Sequence, residues 1–282
     1  MTRYLLDQRF LYRYTGPITS LQHRLMVVPP AVHGDQGLVC HRVDVTGAEV
    51  ETRVGEDRFG NSVLHVRSPM VEDAIAFDAT VEVERGEEVV PAGLAARALR
   101  DPAYLQPTPL TALGPSLLAA AAELAAAPGP AMDLAERIST WVHGRMRYAF
   151  DATTVKTTAT EALDLGAGVC QDYAHVMVAV ARACGLPARY VSGHLLGEGG
   201  SHAWVEVLVE DQVHPDRALA VAFDPTHDRR AHRGYVTVAV GRDYADVAPT
   251  AGTFESDGAT GRLSTSKRLV AAEPAAAEPA AP

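Results

Sequence analysis

The chain has 282 residues, of which 47% are hydrophobic and 21% are charged, the balance of a globular protein with ample material for a core. Its formal net charge of −10 argues against nucleic acid or an anionic membrane as a partner. No segment approaches the roughly 18 apolar residues of a membrane span, and the charged N-terminus lacks a signal-peptide core. Three cysteines do not suggest a disulfide framework, so we expect a cytoplasmic protein with reduced thiols.

The first third of the chain has the pattern of short β-strands separated by turns. Segments that alternate aromatic and aliphatic residues begin at 4–14 and 21–28 and recur up to 75–83. Residues 57–61 carry the residue types of a hairpin turn. We therefore predict a small all-β, sandwich-like domain over residues 1–90.

A helical region follows. The segments 117–127 and 132–146 predict two helices, and a third is predicted to begin at Cys170. Gly185 suits the residue after a helix end, and Pro187 prevents continuation of the helix. Apolar residues at helical spacing from the cysteine predict an amphipathic helix with the cysteine on its buried-facing side.

Four apolar segments after this helix predict neighbouring strands, at 188–196, 202–209, 220–223 and 235–240. Helices followed by adjacent strands is the order of an α+β fold. We predict a core over residues 91–250 and a C-terminal extension over 251–282. In the extension, residues 262–270 are compatible with one further strand, and the low-complexity residues 271–282 are expected to be disordered.

Cys170 stands out because a glycine-rich approach precedes it and the polar pair Gln171 and Asp172 follows it. At a helix N-terminus, unpaired backbone N–H groups and the helix dipole favour the thiolate, which is the nucleophilic form. The same amides can stabilise an oxyanion. The alternative is a buried, inert cysteine, a description that fits Cys40 and Cys184.

His202 opens the second predicted strand of the core, and Asp224 ends the third. In a strand, His202 and Trp204 share one face while Ala203 and Val205 point to the other, and we expect the histidine face to meet the helix. The histidine can take the thiol proton, and the carboxylate can fix the imidazole tautomer. Taken singly, His202 is also compatible with a surface position and Asp224 with a turn.

Cysteine, histidine and aspartate together are the parts of a thiol nucleophile, its base and an orienting carboxylate. The predicted catalytic residues are Cys170, His202 and Asp224. The predicted supporting residues are Asp172, Gln171 and Trp204.

A metal site is disfavoured by the spacing of the ligand types. Cys170 and His175 are five residues apart on the predicted helix, about 140° around its axis, so they do not converge. No Cys-x-x-Cys or His-Glu-x-x-His spacing occurs, nor a phosphate loop or dinucleotide fingerprint. We expect neither a metal nor a cofactor.

Four motifs resemble, in this order, the bacterial transglutaminase-like family: Gly-Val-Cys-Gln-Asp-Tyr-Ala-His at 168–175, Gly-Leu-Pro-Ala-Arg-Tyr-Val-Ser-Gly at 185–193, His-Ala-Trp-Val-Glu-Val at 202–207 and Phe-Asp-Pro-Thr at 223–226. The segment 238–247 resembles the region after that family's core, and the β-rich first third resembles its N-terminal domain. The resemblance implies a papain-like core, with the nucleophile on a helix N-terminus packed on an antiparallel sheet. It also implies the triad Cys170, His202 and Asp224 and a thioester acyl-enzyme formed from an amide.

The family is functionally mixed, and the acceptor of the acyl group decides the reaction. Water gives a protease or amidase, whereas an amine gives a protein-glutamine γ-glutamyltransferase. We expect hydrolysis of a protein or peptide substrate at a glutaminyl or other amide, because the residues that build an amine-acceptor tunnel cannot be located. Amine transfer is the alternative, and a non-catalytic binding module is a second one. The oligomeric state is left open.

Overall fold

A computed structural model describes residues 1–127 and 129–272 of the chain. The first part contains β1 (Thr2–Tyr14), β2 (Ile18–Leu25), β3 (Val32–His33), β4 (Gln36–Thr46), β5 (Glu51–Glu56), β6 (Ser62–Val71) and β7 (Ala74–Arg85). The second part contains β8 (Ala92–Ala95), a 3₁₀ helix (Ala96–Arg100), α1 (Pro102–Leu105), α2 (Pro115–Ala125), α3 (Ala131–Arg145), β9 (Arg147–Tyr148), α4 (Ala159–Leu165), β10 (Ala167–Gly168), α5 (Cys170–Ala183), β11 (Ala188–Leu195), β12 (His202–Glu210), β13 (Arg217–Asp224), β14 (Arg229–Arg230), β15 (Tyr235–Gly241) and α6 (Tyr244–Val247). Two strands follow, β16 (Thr250–Glu255) and β17 (Gly261–Ala272).

The N-terminal strands form two sheets, with the orders β17-β1-β7-β4-β3 and β16-β2-β6-β5. Alternate residues of these strands are buried, as the two-residue period of a strand requires. Phe10, Ile18 and Phe77 are among the buried residues that pack between the sheets. The expected hairpin forms where Asp57 donates its backbone N–H to the carbonyl of Asn61, between β5 and β6. The predicted all-β domain is confirmed.

The last two strands return to this domain. β17 pairs with β1 from Arg3 opposite Ala272 to Tyr14 opposite Gly261, and β16 pairs with β2. The described part of the segment 251–282 therefore belongs to the N-terminal sheets and is not a separate extension. The physical reason is that β1 without β17 would expose a row of unpaired backbone groups. Of the residues expected to be disordered, 271–272 end β17, and the others lie outside the described residues.

The core is built around α5. This helix packs on one face of a sheet with the order β14-β13-β12-β11-β15, in which the neighbouring strands are antiparallel. Its other sides are covered by α2, α3 and α4, and residues 171–182 are all buried. The expectation of an amphipathic helix is wrong, because alanine-rich neighbours cover the outer face as well. The predicted α+β class, with a helix packed on an antiparallel sheet, is confirmed. No helix in the described residues is long and apolar enough to cross a membrane.

Side-chain amides of the N-terminal domain cover the free edge of β15. The Gln36 amide donates to the carbonyl of Thr237 (2.8 Å) and accepts from its N–H (2.9 Å). Asn61 makes the same pair of bonds to Val240, at 2.7 and 2.8 Å. These side-chain amides satisfy backbone groups of β15 that a neighbouring strand would otherwise pair with. Hydrogen bonds therefore join the N-terminal domain to the core.

An apolar cluster joins β17 to the core sheet. Leu269 is 7% exposed and packs in a cluster with Leu6 and Val81 of the N-terminal sheet and with Val236 and Val238 of β15. The C-terminal strand therefore contributes to the contact between the domains as well as to its own sheet.

Leu269→Ala should lower the free energy of unfolding by about 2–5 kcal/mol, because it leaves a cavity in this cluster. Leu263 lies on the same strand but is 41% exposed. Leu263→Ala is the matched control, and it should change the free energy by no more than about 0.5 kcal/mol. Urea unfolding of both variants measures the difference. Equal losses would contradict the role of Leu269 between the domains.

Candidate active site

Asp172 fixes the start of α5. Its Oδ2 atom accepts hydrogen bonds from the backbone N–H of Val169 (2.8 Å) and from Oγ1 of Thr153 (2.6 Å). A Cβ atom on Gly168 would lie 2.5 Å from that oxygen, so only glycine leaves room for the carboxylate. This contact holds Val169 in an extended conformation and lets the helix begin at Cys170. Asp172 is therefore a positioning residue for the thiol.

The first amides of α5 are available to a substrate. Cys170 is half-buried, and within residues 1–127 and 129–272 the backbone N–H groups of Cys170 and Gln171 donate no hydrogen bond. They are the candidate donors to an oxyanion beside the sulfur. The Gln171 side chain is 9% exposed, and its expected supporting role stays a prediction.

His202 lies at the start of its strand, on the side of the core where the thiol also lies. Ala203 and Val205 pack in the apolar cluster of α5, whereas Trp204 packs on the opposite side of the sheet. The expectation that the face of His202 meets the helix is wrong, because burial against α5 favours the apolar face. His202 is the first residue of β12 and Cys170 the first residue of α5, so the two side chains meet where both elements begin.

His202 lies between a thiol and a buried carboxylate. Its Nε2 atom is 2.8 Å from Oδ2 of Asp224, its Nδ1 atom faces the Glu198 carboxylate, and the Cys170 thiol lies close enough to raise its pKa. Burial acts to lower the pKa of His202, but its hydrogen bonds to Asp224 and Cys170 and their charges raise it to about 10. Burial acts to raise the pKa of Asp224, but the hydrogen bond and charge of His202 hold it well below its usual range. The site therefore favours an imidazolium near neutral pH.

Several groups besides His202 also hold the Asp224 carboxylate. Its Oδ2 atom also accepts a hydrogen bond from the hydroxyl of Tyr235 (2.5 Å) and lies 2.8 Å from Nδ1 of His227. Its Oδ1 atom accepts from the backbone N–H groups of Thr226 (2.9 Å) and His227 (3.3 Å). Sequence reasoning missed His227, although an aspartate that opens a turn brings the residue three positions later close to its carboxylate.

Glu198 contacts both histidines from the loop before β12. Its Oε2 atom lies 3.2 Å from Nδ1 of His202, and its Oε1 atom lies 3.2 Å from Nε2 of His227. Glu198, His202, Asp224 and His227 thus alternate around a closed ring, which we call the histidine–carboxylate ring. The loop reaches this position through Gly197, whose φ of 92° favours glycine. No sequence spacing signals this contact.

The inner atoms of the ring lie close together. Nε2 of His202 and Nδ1 of His227 each lie 2.8 Å from Oδ2 of Asp224, and one ligand atom from each of these residues lies within 4.8 Å of the others. This separation allows one ion to contact all three atoms. The pair that was considered from the sequence does not form a site, because His175 accepts the backbone N–H of Tyr244 in the buried interior.

Trp204 packs beside the catalytic candidates on the sheet. Its ring lies 6.1 Å from that of His202, at an interplanar angle of 26°, and meets the Tyr235 ring edge-on at 5.3 Å. A Cβ atom on Gly193 of the neighbouring strand would lie 2.5 Å from the Trp204 ring. The structure thus brings Trp204 to the site, and its supporting role stays a prediction.

Lys267 of β17 brings a cation near the sulfur. Burial lowers the pKa of Lys267 to about 8, while the charge of Cys170 acts to raise it. Its Nζ atom lies 5.2 Å from the centre of the Phe10 ring, and Gln8 is its partner across the strands. Nearly 100 residues separate Lys267 from the motif of Cys170, so no sequence pattern predicts that the two lie close together.

An exposed aromatic pair flanks the site on another side. The rings of Tyr148 and Phe150 meet edge-on at 5.2 Å, and the two residues are 44% and 77% exposed. Burial raises the pKa of Tyr148 to about 12, with further contributions from the charges of Cys170 and Glu198. The site is therefore open to solvent beside the thiol.

The other two cysteines lie in different environments. Cys184 is half-buried, donates to the carbonyl of Ala121 (3.5 Å), and has its pKa raised by burial. Cys40 is exposed on β4, so the expectation that it is buried is wrong. Its sulfur lies 3.7 Å from the Glu82 carboxylate.

Known proteins resemble this chain in sequence and in fold. The family descriptions "Transglutaminase-like superfamily" and "Bacterial transglutaminase-like N-terminal region" match residues 119–216 and 4–84. An uncharacterized protein of Mycobacterium tuberculosis is 31% identical over 89% of this chain and 87% of its own length. One of Mycobacterium leprae is 31% identical over 88% and 92%. A candidate cysteine protease from Cytophaga hutchinsonii shares the fold, with a TM-score of 0.72 and 18% identity over 97% of this chain and 92% of its own.

Cys170 should be the thiol that iodoacetamide modifies fastest in the folded protein near neutral pH, because it contacts a base. Mass spectrometry of the three cysteine peptides over time gives the three rates. In His202→Ala the rate at Cys170 should fall at least about 10-fold, while the rate at Cys40 stays unchanged. Equal rates for all three cysteines in the folded wild type would contradict the assignment.

Acid should destabilise the fold through His175. Burial and the Arg182 cation lower the pKa of His175 to about 3, whereas in the unfolded chain it is near about 6.5. Between these values the unfolded state binds the extra proton, so stability falls as the pH is lowered, by up to about 1.4 kcal/mol per pH unit.

His175→Gln keeps an acceptor for the Tyr244 N–H but does not titrate. Urea unfolding at several pH values within this window should therefore show a shallower loss of stability for the variant than for the wild type. Parallel pH dependences of the two proteins would show that His175 does not cause the effect.

Proposed function

Because the chain belongs to the transglutaminase-like superfamily, with a bacterial transglutaminase-like N-terminal region before its core, we propose that it hydrolyses amide bonds of protein or peptide substrates through a thioester. At the level of the family, the comparisons support a cysteine-type enzyme. The observation that carries the proposal is one arrangement: Cys170 at a helix start lies close enough to His202 to raise its pKa, and the buried Asp224 holds that histidine.

The first half of the reaction uses the imidazolium form of His202. Cys170 attacks the amide carbonyl as a thiolate, and the carbonyl oxygen takes the negative charge. The N–H groups of Cys170 and Gln171 lie at the helix start, where they can donate to that oxygen. His202 then gives its proton to the leaving amine, while Asp224 keeps the imidazolium oriented. The C–N bond breaks, and the acyl group remains on sulfur.

The second half needs an acceptor for the acyl group. The neutral His202 removes a proton from a water molecule as its oxygen attacks the thioester carbonyl. The C–S bond then breaks, so that the acid is released and Cys170 leaves as the thiolate beside the imidazolium of His202. The exposed rings of Tyr148 and Phe150 support water as the acceptor, because transfer to an amine requires that water be excluded from the thioester.

Transfer to an amine is the second candidate, and Glu198 favours it. This carboxylate is partly exposed and lies 3.2 Å from His202, where it can attract an ammonium group. An amine that loses its proton to His202 would attack the thioester in place of water. The position of Cys170 at a helix start, close enough to His202 to raise its pKa, argues against a non-catalytic binding module.

We also propose a cytoplasmic location, with no nucleic-acid or membrane partner. Two observations support this: the three cysteines are unpaired, and the net charge is −10.

Cys170→Ala should abolish turnover of the peptides that the wild type consumes, with a melting temperature within roughly 4 °C of the wild type. Cys184→Ala is the matched control and should retain turnover. Glutaminyl peptides are incubated with and without a primary amine, and mass spectrometry identifies the products. Hydrolysis predicts cleaved or deamidated peptide in both mixtures.

Incorporation of the amine in place of hydrolysis would establish transfer instead. Persistent turnover in Cys170→Ala, or unfolding of that variant together with slow alkylation of Cys170 in the wild type, would contradict a nucleophilic role for this residue.

A further inference from the structure

Two side chains near the catalytic residues take part in no step of the proposed hydrolysis. His227 and Glu198 neither attack, nor donate to the oxyanion, nor hold the nucleophile. Both are nevertheless placed closely on the catalytic histidine and its carboxylate, at 2.8 Å from Asp224 and at 3.2 Å from His202 respectively. Their arrangement provides a different kind of site.

The inner edge of the histidine–carboxylate ring has the donor set of a transition-metal site. Nε2 of His202 and Nδ1 of His227 each lie 2.8 Å from Oδ2 of Asp224, and one ligand atom from each of the three residues lies within 4.8 Å of the others. Tetrahedral Zn²⁺, with ligands at about 2.0–2.2 Å, spaces its donors by roughly 3.3 Å. Shifts of about 1 Å or less at each ring therefore allow all three atoms to reach one ion.

At the outer edge of the ring, Glu198 supplies the hydrogen bonds that orient metal-binding histidines. Histidines that bind a metal through one nitrogen usually donate the N–H of the other nitrogen to a carboxylate. Here the outer nitrogens of His202 and His227 each face one oxygen of Glu198 at 3.2 Å. On the inner side, the Tyr235 hydroxyl donates to Oδ2 of Asp224 and steadies the carboxylate.

An ion can approach this site from solvent. The side chains of His227 and Glu198 are 33% and 37% exposed, whereas that of Asp224 is fully buried. Two imidazoles and one carboxylate suit Zn²⁺ better than Mg²⁺ or Ca²⁺, which prefer oxygen ligands throughout. Water would complete the coordination.

We propose that His202, His227 and Asp224 form a reversible Zn²⁺ site, held in place by Glu198, which inhibits the enzyme when it is occupied. An ion on Nε2 of His202 separates the imidazole from its orienting carboxylate. One ring hydrogen then stays on Nδ1, facing Glu198, and His202 carries no second proton to give to the leaving amine. The inhibition rests on the proposed function, whereas the binding of the ion does not.

The binding is tested by calorimetric titration of zinc chloride into the full-length Cys170→Ala variant, in which the thiol cannot contribute. We expect one Zn²⁺ per chain, as in the wild type. Added to this background, Glu198→Gln should weaken binding about 10–100-fold, and His227→Gln by at least that factor. His214→Ala removes an exposed histidine of another loop and should change nothing.

Cobalt provides a second readout that does not depend on a folding-sensitive variant. Co²⁺ in the wild type should give visible d–d absorption without a thiolate charge-transfer band. A charge-transfer band, or zinc binding that is lost in Cys170→Ala and kept in His227→Gln, would place the ion on the thiol and overturn the proposal. Absence of saturable zinc binding in the wild type would overturn it as well.

Activity measurements separate the two claims. Zinc should suppress amide hydrolysis by the wild type, and a chelator should restore it. If zinc binds as described but no peptide is turned over under any condition, the proposed function fails while the ion site stands. If zinc binds and hydrolysis continues unchanged, the inhibitory role is wrong.

Discussion

The burial of one carboxylate, that of Asp224, is the constraint on which the site depends. A charged group removed from water is costly unless hydrogen bonds and an opposite charge compensate it. Here the compensation comes from two histidines, a tyrosine hydroxyl and two backbone amides of the following turn. These donors fix the position of the carboxylate and, through it, the ring of His202. The orientation of the base is thus a consequence of how the buried charge is compensated.

The nucleophile is positioned by a separate device. α5 is buried on all sides, so its N-terminus cannot shift without disturbing the core. Asp172 then holds the residue before the helix, and Gly168 leaves room for that carboxylate. Cys170 is the first residue of a rigid helix and His202 the first residue of a rigid strand, and these two element ends lie close together. Catalytic geometry of this kind requires preorganised elements more than flexible loops.

The N-terminal domain and the C-terminal strand also contribute to the site. Gln36 and Asn61 close the edge of β15, the strand that carries Tyr235 at its start. β17 brings Lys267 within electrostatic reach of the thiol. The core therefore is not an independent unit. The strands around it add a charged residue, Lys267, that is not part of the core motifs.

Local signals in the sequence predicted much of this arrangement. The helix starting at Cys170, its end at Gly185 and the strands carrying His202 and Asp224 all follow from residue periodicity and turn chemistry over short stretches. The face of β12 that meets α5 was predicted wrongly, because the choice depends on which side the whole core buries. Glu198 and Lys267 gave no signal, since a loop conformation and a strand pairing across the whole chain bring them to the site. The position of His227 beside Asp224 could have been predicted, because His227 follows Asp224 in the same turn.

The central claim is that Cys170 carries the acyl group. Its most direct test is to mix the protein with an activated ester of a glutaminyl peptide, quench with acid, and locate the adduct by mass spectrometry. We expect an acyl group on the peptide that contains Cys170, released by hydroxylamine as a thioester is, and absent from Cys170→Ala. Turnover of the substrate without an adduct on Cys170, or the same adduct on Cys40 or Cys184, would contradict it.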